Sequence, residues 1–155
     1  MKEGIAMFKV IQQQFVPVLI IIYIAFKQLR PKEIKVDSKG KYIILAIGIY
    51  DAYIAIANKQ LIINYQTVLG LIFTLLILAG GFAFARAYTC QVWQKDGKFY
   101  RQGNYVTMIL WIIMIISHAI TDHIITGLGT TFVLYLGTSL VVQHLVLLNK
   151  IKNAN

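Results

Sequence analysis

Among the ionisable side chains inside the long apolar runs of this chain, three stand out: Asp51, His118 and Asp122. Charged groups at membrane depth are costly, so they are the first places to look for proton, ion or ligand chemistry. Asp51 follows Tyr42 by nine residues, which at about 1.5 Å per helical residue puts it about 13 Å into a membrane, near the midplane. Tyr50 and Tyr53 could donate to it, and Lys59 lies beyond it on the same side. Two roles stay open: a titrating carboxylate in an ion-coupled permease, or a structural carboxyl hydrogen-bonded between helices. His118 and Asp122 are four residues apart and share a helix face with Trp111 and Ile115, while His123 points elsewhere. A pair at that spacing would fix the imidazole tautomer.

Other chemistries fit less well. His118 and His144 would have to sit at one depth to ligate a haem, and their places in successive apolar runs put them at different depths. Asp51 and Asp122 differ in expected depth by about 10 Å, at about 1.5 Å per residue, too far to share a catalytic proton. His118, Asp122 and His123 make at most a loose surface metal site, and Cys90 is the only cysteine, excluding a disulfide or a thiolate cluster. HExxH, GxSxG and phosphate-cradling glycine loops are missing. The expectation is therefore no catalytic residue, no metal and no cofactor.

The elements that must position these residues are legible from composition. Hydrophobic residues make up 58% of 155 residues and charged residues 14%, too apolar for a soluble domain of this size. Spanning a membrane takes roughly 20 helical residues. Blocks at about 42–58, 66–87, 104–125 and 128–149 approach that length, and a weaker one at 8–27 includes Lys9 and a Gln12–Gln14 triplet. The predicted fold is an all-α transmembrane bundle of about five helices in a single domain, with a loop at 88–103. No small-x-small site follows the first apolar run, so it reads as retained, not as a cleaved leader.

Lys and Arg cluster in the first loop, the third loop and the C-terminal tail, where twelve of the fifteen fall. By the positive-inside rule those segments face the cytoplasm of a bacterial membrane, and the N-terminus faces outward if the first block spans. A net charge of +9 placed this way suits anionic lipid headgroups and gives no reason to expect nucleic acid. The further partner to expect is another membrane protein or a second copy of the chain.

Within the third loop, Asp96-Gly97 is a two-residue hairpin signal, because a type I′ turn needs positive φ at both positions. Pairing outward sets Lys95 against Lys98, Gln94 against Phe99 and Trp93 against Tyr100, whose rings would stack. Trp93, Asp96, Gly97, Tyr100 and Arg101 thus form a candidate docking hairpin, the alternative being an amphipathic ribbon at headgroup level. Gly70, Gly80 and Gly81, with Ala79, Ala83 and Ala85, read as a small-residue packing face of the third apolar block.

The segment from Ala87 through Thr89, Trp93, Asp96-Gly97 and Arg101 to Gly103, leading to Leu110-Trp111, resembles the CcdC-like family of small bacterial membrane proteins. The basic first loop Lys27-Gln-Leu-Arg-Pro-Lys is similar as well. The resemblance implies a compact bundle and an association with cytochrome c maturation, but the family has no agreed catalytic residues to carry over. Lacking a CxxC pair, this chain is no direct thiol relay. The expected function is that of a small non-enzymatic accessory, assembly or protective (immunity-type) factor. A small channel, exporter or permease using Asp51 is the alternative, and a membrane-embedded enzyme a further one.

Overall fold

The computed structural model describes residues 19, 22–24 and 26–153. Of the first apolar block, 8–27, only residues 19, 22–24, 26 and 27 are among them, and these are helical, as are 28 and 29; the rest of the block, and whether it spans, lies outside the described residues. Then come a short strand β1 (Lys32–Glu33), helix α1 (Lys39–Ala57), and helix α2 (Tyr65–Thr89). Strands β2 (Gln91–Lys95) and β3 (Lys98–Gln102) precede helix α3 (Tyr105–Ile124). A 3₁₀ turn at Leu128–Thr131 leads into helix α4 (Phe132–Lys152). Among the described residues, four helices are long and apolar enough to cross a membrane, the last counted from Leu128.

Two helices start on the same local device. Asn64 Oδ1 accepts the Thr67 N–H at 2.8 Å at the head of α2, and Asn104 Oδ1 accepts the Thr107 N–H at 3.0 Å at the head of α3. In α3 the Asn104 N–H also donates to Thr107 Oγ1, a reciprocal capping box that satisfies end donors otherwise left orphaned. The recurring Asn-Tyr-x-Thr marks both starts.

Helix α4 is the hub. Half of its apolar window is buried, against 11% for α1, because α1 and α2 both pack along it. The α1–α4 crossing is glycine-to-backbone in both directions. A Cβ on Gly137 would stand 2.6 Å from Leu45 Cα, and one on Gly48 would collide with the Leu134 backbone. Close backbone approach of this kind is how helices gain dispersion contact in lipid.

This corrects the expected small-residue face. Ala79 and Ala83 are fully buried as expected, but Gly81 faces open space and Gly80 meets only its own helix. Both lie in a π-helical stretch, Phe73–Gly81, that widens the middle of α2. The apolar core joins Leu78 and Ala79 of α2, Trp111 and Met114 of α3, and Tyr135, Leu136 and Leu140 of α4.

The hairpin forms as its sequence predicts, with Lys95 opposite Lys98, Gln94 opposite Phe99 and Trp93 opposite Tyr100. Asp96 and Gly97 take φ of 51° and 72°, and the Trp93 and Tyr100 rings stack with centroids 6.0 Å apart. It is not an isolated ribbon, however. β1 from the first loop pairs antiparallel with β3, giving a three-stranded sheet in the order β1-β3-β2.

Candidate functional site at the basic end of the bundle

The three intramembrane residues singled out by sequence are not gathered together. Asp51 is half-buried on the α1 face that carries Gly48 and Ala55, with Tyr50 and Tyr53 exposed beside it. His118 is buried between aromatic rings, 5.3 Å from the Phe132 centroid and 4.7 Å from that of Tyr135. Asp122 directs its carboxylate to the Gly129 N–H, capping the turn before α4, in place of a pairing with His118. A Cβ at Gly129 would sit 2.9 Å from the Asp122 carboxyl carbon, so glycine permits this approach.

The polar residues that do converge lie under the sheet. Arg86, counted by sequence among the loop cations, sits inside α2 with 0% exposure. Its guanidinium carbon is 3.9 Å from the Trp111 ring centroid; Nη2 donates to Ser139 Oγ, and Nη1 lies 3.4 Å from Met114 Sδ. Its Nε has no partner, and no carboxylate pairs with it among the described residues. A weakly hydrated planar guanidinium over an indole face is the form in which a cation tolerates such a place.

Around this stack runs an amide and thiol network. Trp111 Nε1 donates to Gln28 Oε1 at 3.1 Å, and Gln143 Nε2 reaches the same oxygen at 3.5 Å and Cys90 Sγ at 3.8 Å. Gln28, Arg86, Trp111 and Gln143 come from different helical segments, so the cluster ties all of them together just inside the basic end.

The sheet is tied to this cluster and held together by backbone bonds and one side-chain amide bond. Gly103 N–H donates to Gln28 O at 2.8 Å, Asn104 Nδ2 to Thr89 O at 2.9 Å, and Ile34 N–H to Phe99 O at 2.8 Å. Lys150 near the end of α4 reaches the Tyr88 and Cys90 carbonyls at 3.4 Å each. First loop, third loop and the end of α4 therefore lie at one end of the bundle.

Register settles which groups of the sheet are unpaired. Because Phe99 O accepts from β1, the backbone groups of Phe99 and Arg101 point to β1 and those of Lys98, Tyr100 and Gln102 to β2. On β2 it follows that Gln91, Trp93 and Lys95 pair inward, while Val92 and Gln94 present N–H and C=O outward on an edge that no other strand pairs with among the described residues. Of the docking candidates, Trp93 and Tyr100 are half-buried and, with Pro31, Lys95 and Asp96, line a hollow of about 290 Å³.

On the other side of the sheet the cations crowd. Burial pushes the Lys32 amine below its ordinary range, and the charges of Arg101, Lys27 and Lys35 push it further. Burial also lowers Arg101, an effect partly offset by the nearby Cys90.

Sequence reasoning missed Arg86 and Gln28. The signal for Arg86 was its place between Ala83 and Ala87 on the buried stripe of α2. No family model, curated protein or solved structure matches this chain.

Proposed function

We propose that this is a small non-enzymatic accessory factor, of the assembly or protective kind, in the bacterial cytoplasmic membrane, and that it captures an extended segment of another membrane component by strand addition. In this reading the basic end faces the cytoplasm, as the loop charges favour. The likeness to CcdC-like proteins belongs to the same reading.

The observation that carries it is a β2 edge left unpaired among the described residues, on a sheet bonded to the bundle beneath. An exposed strand edge is a template for another chain, and native proteins usually blunt or cover it. Here the sheet is bonded to the bundle, and the face next to that edge carries an aromatic hollow, lined by Trp93 and Tyr100, for a side chain of the added strand. Lys95 and Lys98 flanking the turn favour an acidic segment.

Photo-crosslinking from position 91, an exposed side chain of β2, in native membranes tests this. A discrete adduct mapping to an extended segment of one membrane protein is expected, and Gln94→Pro should abolish it. That substitution deletes an outward N–H without touching the β2–β3 ladder. An adduct indifferent to the proline would sink the reading.

A further inference from the structure

Two adjoining clefts open at the basic end, of about 260 and 250 Å³, and the same four residues line both: Lys32, Ser38, Lys41 and Arg101. They come from three separate segments, the first loop, α1 and β3. Lys27 adds a fourth cation to the first cleft, whose described lining contains no acid. Glu33 lines the second, but its carboxylate lies 3.7 Å from Lys98 Nζ. Like charges lining one cleft repel one another, and the charges of Arg101, Lys27 and Lys35 add to burial in holding Lys32 below its ordinary range.

The rest of the first cleft is of a different character. Ile24, Ile44 and Leu140 supply an apolar wall continuous with the bundle. Gln28 also lines it; its amide oxygen is taken by Trp111 and Gln143, which leaves its NH₂ as a donor for the cleft. Cations, a hydroxyl and an amide donor above a hydrocarbon wall match a phosphate esterified to an acyl glycerol, the chemistry of basic pockets between helices that hold anionic headgroups.

We propose that this double cleft binds the phosphate of an anionic phospholipid, with Lys27, Lys32, Lys41 and Arg101 around the phosphate oxygens and the acyl stem along Ile24, Ile44 and Leu140. The site is independent of strand addition at β2. Bound phosphate relieves the repulsion between first loop, α1 and β3, so the lipid also fastens the sheet to the bundle.

The test is titration of the detergent-purified chain with short-chain phosphatidic acid, short-chain phosphatidylcholine and inorganic phosphate, read by thermal shift and by native mass spectrometry. Saturable binding of one phosphatidic acid is expected, with a rise in melting temperature that phosphatidylcholine does not produce. Lys27→Gln with Lys32→Gln and Lys41→Gln should weaken it about a hundredfold, at roughly fivefold per lysine near a membrane surface. Lys59→Gln with Lys95→Gln and Lys152→Gln removes the same charge elsewhere and should leave it intact. Equal weakening in both triple variants would reduce the effect to net charge and overturn the site. Inorganic phosphate protecting as well as the lipid would overturn the lipid assignment, and no saturable binding would overturn the proposal entirely.

Discussion

Replacing Arg86 and Trp111 singly and together should reveal a coupling of about 2 kcal/mol, the worth of a desolvated cation–π contact. The guanidinium lies 3.9 Å from the indole centroid with no exposed surface, so water cannot screen the interaction. The single variants should differ in kind. Trp111→Leu removes the stacking face and leaves a buried cation with Ser139 as its main polar partner, a loss of about 3–5 kcal/mol, as for breaking a buried pair. Arg86→Met removes the charge and its desolvation penalty together, so it should be near neutral or stabilising by about 1–4 kcal/mol. Arg86→Lys keeps a charge, loses the planar stack and should be worse than Met. Reversible unfolding in mixed micelles, followed by tryptophan-independent circular dichroism, measures all four corners. A coupling below about 0.5 kcal/mol, or a methionine variant less stable than the lysine one, would refute the account of Arg86 as a cation held by its indole.

Gly137→Ala should destabilise by about 1–3 kcal/mol, because its Cβ meets the α1 backbone, whereas Gly81→Ala, opening on free space, should be neutral or slightly stabilising; the same unfolding assay separates them. Lys32 loses its proton at lower pH folded than unfolded, so between those two values the unfolded chain binds more protons and stability should climb as pH rises toward the ordinary 10.5. Lys32→Gln should flatten that climb in melting curves taken across alkaline pH, and phosphate-lipid binding should weaken over the same window. Asp122→Ala should cost about 1–3 kcal/mol by stranding the Gly129 N–H, with Asp122→Asn milder because an acceptor remains; equal losses in melting temperature would mean that the cap contributes nothing.

Much of the fold is local and was therefore legible. Each long helix announces itself by an apolar run matched to membrane thickness, and the hairpin by Asp96-Gly97, since few residue pairs accept two positive φ values. What escaped is non-local. Lys32-Glu33 has no strand propensity, and becomes β1 only because β3 lies beside it. Gly48 and Gly137 each look unremarkable alone, and gain meaning as facing partners across one crossing. Arg86 was read by the charge rule that places arginines at membrane edges, which is right about the end of the bundle and silent about inside or outside the helix packing. The intramembrane acids attracted attention for sound energetic reasons, yet Asp122 answers a local need for a turn cap. The basic cleft needed the fold, because its four cations run from Lys27 to Arg101, 74 residues apart, and only the sheet and α1 bring them together.

Amide hydrogen exchange on β2 tests the central claim, a free strand edge that receives a partner. In the purified chain, Gln91, Trp93 and Lys95 should be protected and Val92 and Gln94 should exchange fast, the alternation set by the ladder. In native membranes, labelled before extraction, Val92 and Gln94 should become as slow as their neighbours. Fast exchange at both positions in both settings would contradict strand addition.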